Sequence, residues 1–199
     1  MCTRNDISPF LIHFTKGDDL NDAFGNLLSI IDSQMIFGSN GMIRGDYNCV
    51  CFSESPIESI PNGLINADNY SKYSPFGILV PKEWLFYQGG RPVIYQTSEE
   101  YEQLSENNKW RHVTYDPTTN PPIDFSWERE WRIKTNELYI NPMYCSIVVP
   151  DGSWAESIIS RHEEEQDWEV RKYKLIFNDD ILAEIHRDFF RWNILLLNE

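Results

Sequence analysis

The chain has 199 residues, of which 41% are hydrophobic and 14% aromatic. This composition is too apolar for a disordered chain, and the length suffices to bury one core, so we expect a single domain over residues 1–199. Lys and Arg number 17 against 31 Asp and Glu, which gives a net charge of −14. Such a charge argues against counterion-driven nucleic-acid binding over the whole surface, although it leaves a locally basic cleft open.

Strands and helices are predicted in an irregular order along the chain. Residues 10–15 predict an opening strand, and apolar residues at helical spacing predict a helix over 18–34 with Asp18 or Asp19 as its N-cap. Thr97 and Glu100 offer a capping box for a polar helix over 98–106. The remaining pattern predicts helices over 82–88, from Ser153 towards His162 and over 181–192, and strands over 49–53, 76–80, 92–95, 111–115, 145–149 and 172–177.

The segment 127–133 alternates strongly and predicts a further strand. In it, Glu128 and Glu130 fall on one face and Trp127 and Trp131 on the other. Together these elements indicate an α+β domain with mixed, mainly antiparallel sheets.

The sequence shows no secretory leader and no apolar run long enough to cross a bilayer, so we expect a cytoplasmic protein without a membrane partner. Cys49 and Cys51 are spaced C-x-C, which is not the spacing of a zinc site. We interpret them as reduced cysteines of a buried strand and expect no metal.

A few polar residues stand out against this background. His13 lies in an apolar strand, Arg44 in a Gly-rich loop, Ser53 at the end of CVCFSES, and Glu128 and Glu130 form E-x-E between tryptophans. Each alone has a structural alternative: a satisfied core histidine, a solvated arginine, a solvated strand face.

The chain resembles ADP-ribosyltransferases in the order of its motifs. These are LIHFT, a helix, an arginine in a loop, FSESP and a late E-x-E strand. The segments YSPFGILVPKEWLFYQGGRPVIY and DFSWEREWRI are similar to abortive-infection proteins of the AbiGi type, and the motif order also resembles DarT-like toxins. The resemblance covers roughly residues 10–135. It implies a cleft between sheets that binds NAD as a substrate, and transfer of ADP-ribose with release of nicotinamide.

The resemblance also implies roles for the residues that bind NAD. His13 would contact a ribose, and the backbone near Phe14 and Thr15 would hold the nicotinamide amide. Arg44 would lie near the phosphates and the reaction centre, and Ser53 would brace the catalytic glutamate, although FSES replaces the usual Ser-Thr-Ser.

In the same resemblance Glu130 matches the catalytic glutamate and Glu128 the preceding acidic position, while Tyr47 or Tyr73 would stack on nicotinamide. A fixed carboxylate stabilises the positive charge that develops at the ribose anomeric carbon, and a second acid accepts a proton from the nucleophile. We therefore expect Glu130 to stabilise the oxocarbenium ion and Glu128 to act as the base.

The resemblance favours a DNA or RNA base over protein as the acceptor, and it adds a cognate antitoxin as a partner. A flipped base needs stacking and few hydrogen bonds, so a small basic groove is sufficient. Its candidate residues are Arg44, Lys72, Lys82, Arg91, Lys109, Arg111 and Arg129. The alternative is a non-catalytic antitoxin or sensor, and the test between them is whether Glu130, His13 and Arg44 converge on one pocket.

Overall fold

The computed structural model describes residues 7–54 and 73–198. Helices α1 to α4 lie at Leu20–Ser33, Lys82–Tyr87, Gly152–Phe177 and Asp180–Glu184. Strands β1 to β11 lie at Phe10–Phe14, Met35–Phe37, Cys49–Ser53, Gly77–Pro81, Arg91–Pro92, Ile94–Gln96, His112–Thr114, Glu130–Lys134, Glu137–Tyr139, Ser146–Val149 and Asn193–Leu196. No helix within the described ranges is both long enough and apolar enough to span a bilayer.

A seven-stranded sheet organises the fold, with the strand order β11-β10-β4-β1-β3-β8-β5. All neighbouring strands in it are antiparallel except β10 and β11, which are parallel. Two small sheets accompany it: β2 pairs with β9 antiparallel, and β6 pairs with β7 parallel. The prediction of an α+β fold with mainly antiparallel sheets is confirmed.

One side of the large sheet, called the helix face below, carries the main core. Side chains alternate along each strand, so Leu11, Phe52 and Ile78 point to this side. They are buried together with Leu27 of α1 and Ile158 of α3. Burial of these apolar residues between helices and sheet is the main driving force for folding.

The other side of the sheet, called the opposite face below, is divided in two. Ile12, Phe14, Leu79 and Val148 form an apolar cluster on β1, β4 and β10. On β3 and β8 the same face carries polar side chains, namely Cys51, Ser53, Glu130 and Arg132, which are paired across the two strands. The candidate functional residues lie in this polar half.

The prediction of a strand over 127–133 is wrong for its first residues. Ser126–Glu128 is a 3₁₀ turn, and Arg129 has a left-handed backbone with φ 46°. The turn is favoured because Asp124 accepts hydrogen bonds from the Ser126 backbone N–H (2.9 Å) and hydroxyl (2.6 Å). Glu128 and Glu130 therefore do not share a strand face, although they stay close in sequence.

The C-terminal predictions also need correction. Residues 172–177 are the last turns of α3 and not a strand, because Tyr173 and Phe177 stack at helical i, i+4 spacing with their ring centroids 5.7 Å apart. Asp151 caps α3 in place of Ser153. The closing helix is reduced to α4, and Trp192 precedes strand β11.

Smaller differences concern the middle of the chain. The predicted strand over 92–95 is divided between β5 and β6, which belong to different sheets. The helix predicted over 98–106 is only a 3₁₀ turn at Glu100–Gln103. Its capping box forms only in part: Glu100 accepts from both the backbone N–H and the hydroxyl of Thr97, but the N-cap is Glu99 and makes no side-chain cap hydrogen bond.

The N-cap of α1 gives a first testable prediction. Asp19 Oδ1 accepts from the Asp22 N–H at 2.9 Å, which satisfies a free donor of the first turn. We expect Asp19→Ala to lower the free energy of unfolding by about 1 kcal/mol in urea denaturation. Asp18→Ala is the matched control and should change it by less than about 0.5 kcal/mol, since Asp18 contributes its backbone N–H to Asp22. Equal losses in the two variants would contradict the assigned cap.

Candidate active site

Three adjacent strands bring the sequence motifs together. β1 carries LIHFT, β3 carries CVCFS and β8 begins with Glu130. Ile12 pairs with Ser53, and Ser53 pairs with Glu130. Because paired residues share a face, these three side chains form one row across the opposite face.

Glu130 is held by a buried arginine. Arg132 Nε and Nη2 donate to the two carboxylate oxygens of Glu130 at 2.7 and 3.1 Å, and the side chains are only 5% and 12% exposed, respectively. Arg132 Nη1 donates further to the carbonyls of Trp110 (3.1 Å) and His112 (2.9 Å). Although burial opposes the charge of Arg132, the Glu130 carboxylate more than offsets it and raises the arginine pKa. This bidentate pair fixes the Glu130 carboxylate in one orientation.

Glu128 contacts Tyr73, whose ring joins two further aromatic rings. Tyr73 hydrogen-bonds its carboxylate, and burial, then this hydrogen bond, raises the tyrosine pKa. The Tyr73 ring makes edge contacts with Phe14 and Trp127, both at 5.8 Å between centroids. We call Phe14, Tyr73 and Trp127 the aromatic strip. Ser53 Oγ donates to the Glu128 carbonyl at 2.8 Å, so the serine braces the backbone that carries this glutamate.

Two residues that the sequence did not single out for the site also contact Glu130. The Tyr95 hydroxyl accepts from the Glu130 backbone N–H at 3.2 Å, and burial raises the Tyr95 pKa to about 12. The Cys51 thiol hydrogen-bonds Glu130, and burial, followed by the glutamate charge, raises the thiol pKa. No motif marks Tyr95; it reaches Glu130 because Val93, two residues before it, donates to the Glu130 carbonyl at the edge of β8.

His13 lies on the helix face, away from Glu130. It is paired with Ile78, and its ring makes an edge contact with Phe52 at 5.7 Å. Its Nδ1 donates to the Cys51 carbonyl at 2.8 Å, and burial lowers its pKa to about 4. The side chain is therefore neutral at neutral pH, and the sheet lies between the ring and the Glu130 carboxylate.

Thr15 and Arg44 have other partners in the structure. The buried Thr15 hydroxyl donates to the Ala23 carbonyl at 2.9 Å and joins β1 to α1. Arg44 stacks on Tyr101 at 4.0 Å from the ring centroid, donates to the Ser98 carbonyl at 2.9 Å and pairs with Glu102 at 3.5 Å. Within the described residues its contacts thus go to residues 98–102, not to Glu128 or Glu130.

Tyr47, like Arg44, has its partners away from Glu128 and Glu130. Its hydroxyl donates to Glu106 at 3.3 Å, and Lys134 lies 4.7 Å from its ring centroid. Of the two tyrosines proposed to stack on nicotinamide, Tyr73 is the one that lies beside Glu128.

The proposed basic groove does not form one surface in the described part of the chain. Lys82 pairs with Glu54 at 2.6 Å and Lys109 with Glu106 at 2.6 Å. Arg129 leads directly into β8, and Lys72 lies outside the described residues. Arg91 and Arg111 donate to backbone carbonyls at the edge of the sheet.

No protein-family model, no curated protein and no solved structure matches this chain.

The Glu130–Arg132 pair gives a prediction for stability. Arg132→Met leaves a buried carboxylate without its partner, and we expect a loss of about 3–5 kcal/mol in the free energy of unfolding. Adding Glu130→Gln should recover part of this loss, because the amide carries no charge to desolvate. Guanidinium denaturation of both variants measures the difference. Arg161→Met is the control, since its pairs with Asp32 and Glu165 are partly exposed and should contribute less than about 1 kcal/mol. A double variant no more stable than Arg132→Met would contradict the charge argument.

His13 gives a prediction for pH dependence. Its pKa in the folded chain, about 4, lies below the unfolded value near 6.5, so the unfolded chain takes the proton first as the pH falls. The associated stability is complete above about pH 6.5 and is lost as the pH falls through 4.

We therefore expect the wild type to lose about 1–2 kcal/mol more than His13→Asn between pH 7.5 and 5, measured by urea denaturation. Asn retains a donor for the Cys51 carbonyl but does not titrate. His186→Asn, at an exposed position, is the control and should follow the wild type. Parallel pH profiles for wild type and His13→Asn would contradict the assignment.

Proposed function

We propose that the protein is an NAD-dependent ADP-ribosyltransferase that modifies a base of DNA or RNA and releases nicotinamide. The observation that carries the proposal is the adjacency of β1, β3 and β8. Ser53 and Glu130 are paired on the opposite face, and Glu128 joins them from the preceding turn through the Ser53 hydroxyl and Tyr73. This is the motif order on which the resemblance to ADP-ribosyltransferases rests.

Glu128 is the carboxylate best placed to act on a substrate. Breaking the bond between ribose and nicotinamide builds positive charge at the anomeric carbon, which a nearby carboxylate stabilises. Glu128 is half-buried, is held by Tyr73 and lies next to the half-exposed ring of Trp127. A flat aromatic ring suits stacking with nicotinamide, and the adjacent carboxylate suits a ribose hydroxyl.

Glu130 is assigned a positioning role in this proposal, which differs from the role expected from its place in E-x-E. Both of its oxygens accept from Arg132. A carboxylate neutralised in this way stabilises an oxocarbenium ion only weakly. Glu130 instead fixes the start of β8 and so the turn that presents Glu128.

The reaction balances without a further reagent. The bond between the anomeric carbon and the nicotinamide nitrogen breaks, and its electron pair leaves with the nitrogen. A base nitrogen or oxygen forms the new bond to that carbon and gives up a proton. Glu128 is placed to accept it, since it is the half-buried carboxylate beside the aromatic strip.

A non-catalytic interaction module is the second candidate, and two observations favour it. His13, Arg44 and Glu130 do not converge on one pocket. In addition, large apolar side chains are exposed at the end of α3, on α4 and beyond, where Leu175, Ile181 and Phe189 are 88%, 76% and 79% exposed. Exposed apolar surface of this kind is typical of protein interfaces.

The decisive experiment incubates the protein with NAD labelled in the adenylate and nicotinamide moieties, together with separate pools of DNA, RNA and cell protein. We expect nicotinamide release and a labelled adduct in one nucleic-acid pool. Glu128→Gln should reduce the rate by about 100-fold or more, since it removes the reactive carboxylate at nearly constant shape. Glu163→Gln, on the exposed side of α3, is the matched control and should be fully active.

Two outcomes would contradict the proposal. Without nicotinamide release by the wild type in any pool, the interaction module would be favoured. Full activity in folded Glu128→Gln, with loss of activity in folded Glu130→Gln, would exchange the roles given to the two glutamates.

A further inference from the structure

Two arginines meet at the free edge of the large sheet. β5 is the edge strand and pairs with β8 on one side only. Arg91 Nη1 donates to the Gly90 carbonyl at 2.6 Å, and Arg111 Nε donates to the Pro92 carbonyl at 2.9 Å. Carbonyls two residues apart on a strand point in the same direction and lie about 7 Å apart. The two guanidinium groups therefore lie side by side along this edge.

Arg91 and Arg111 form no ion pair within the described residues. Neither guanidinium has a carboxylate partner among the described residues; their side-chain hydrogen bonds go to the carbonyls of Phe86, Gly90 and Pro92 and to the Asn108 amide oxygen. Burial, and then the positive charge of Arg91, lowers the pKa of Arg111, as expected for neighbouring cations. In a chain with a net charge of −14, this is a local site of opposite sign.

Exposed aromatic rings adjoin the two arginines. The Arg91 guanidinium lies 4.0 Å from the Phe86 ring centroid. Phe86 is 46% exposed, and the neighbouring Tyr87 is 76% exposed. Guanidinium groups bind phosphate oxygens, and exposed aromatic rings stack with unpaired bases. The combination is the chemistry of single-stranded nucleic-acid binding.

The edge also adjoins the candidate active site. Val93 N–H donates to the Glu130 carbonyl at 3.0 Å, and Arg91 pairs with Arg132 across β5 and β8. Arg132 in turn binds the carbonyls on either side of Arg111. The pair is thus connected to the site by one hydrogen-bonded strand and one buried ion pair.

We propose that Arg91 and Arg111 bind two neighbouring backbone phosphates of a single-stranded nucleic-acid acceptor and hold the acceptor beside the candidate active site. This inference rests on the proposed transferase function and names where its acceptor binds. About two phosphate contacts bring modest affinity with a clear dependence on salt, which suits a protein whose overall charge repels nucleic acid.

The test measures fluorescence anisotropy of a labelled 15-nucleotide single-stranded DNA and of the corresponding RNA, without NAD. We expect Arg91→Gln/Arg111→Gln to weaken binding about tenfold at low salt. The slope of log affinity against log salt should fall by about 1.4, that is about 0.7 for each lost contact. Arg91→Lys/Arg111→Lys keeps the charges and should retain most of the slope. Arg171→Gln/Arg191→Gln removes the same charge from exposed positions and is the matched control.

Three results would overturn the inference. The wild type does not bind the oligonucleotide, the Arg91→Gln/Arg111→Gln variant binds it as tightly as the wild type, or the Arg171→Gln/Arg191→Gln control loses as much affinity as that variant. Displacement of the oligonucleotide by NAD or pyrophosphate, with Arg91 and Arg111 still protected from phenylglyoxal, would instead assign the pair to a dinucleotide and overturn the inference too. Should the Gln pair not fold, phenylglyoxal modification of the wild type decides. The oligonucleotide should then protect Arg91 and Arg111 and leave Arg191 reactive.

Failure here is separable from failure of the transferase proposal. Nicotinamide release from NAD is a different readout and does not need this edge. If the wild type releases nicotinamide and the Arg91→Gln/Arg111→Gln variant binds the oligonucleotide normally, only this inference fails. If the wild type binds the oligonucleotide through Arg91 and Arg111 but never releases nicotinamide, only the transferase proposal fails.

Discussion

The ion pair between Glu130 and Arg132 holds together segments of the chain that are distant in sequence. Charged groups are unfavourable in a protein interior unless they are paired and hydrogen-bonded. Arg132 meets this condition through the Glu130 carboxylate and the carbonyls of Trp110 and His112. The turn before β7 and the strand β8 therefore cannot separate without leaving a buried charge unpaired.

The backbone of Glu130 extends the same connection to the sheet edge. Its carbonyl accepts from Val93, and its N–H donates to the Tyr95 hydroxyl. One residue thus joins β8 to β5 and β6 through its backbone and to β7 through Arg132. The place of Arg111 at the edge and of Tyr95 near the site both depend on this residue, which is why a structural role fits Glu130 better than a reactive one.

The sequence predicted the parts of the fold that depend on local pattern. The apolar pattern of β1, β3 and β10 and the N-cap residue Asp19 are local signals, and they were confirmed. The turn at 126–128 was missed because its alternating residues fit a strand equally well, and only Asp124 and the left-handed Arg129 interrupt it. The end of α3 was missed because its aromatic and branched residues favour strands, whereas the stacking of Tyr173, Phe177 and His186 favours the helix.

The sequence predicted which strands carry the candidate site, but not which of their side chains share a face of the sheet. The motifs identified β1, β3 and the start of β8, and these strands are adjacent. Which side chains meet depends on register, and register is a property of paired strands that no single motif contains. Tyr95 was not identified for the same reason, since it reaches Glu130 only through the pairing of β5 with β8.

Register also decides which residues can act together on a ligand. Ile12, Ser53 and Glu130 form one row, so the alternation of side chains places His13, Phe52 and Trp131 on the helix face. Bringing His13 to the side of Glu130 would require a slip of one residue in β1. That slip would also move Leu11 out of the core, and the loss of its burial opposes it. The His13 ring therefore stays on the helix face as a neutral core residue, whereas Glu128 lies with Tyr73 on the opposite face.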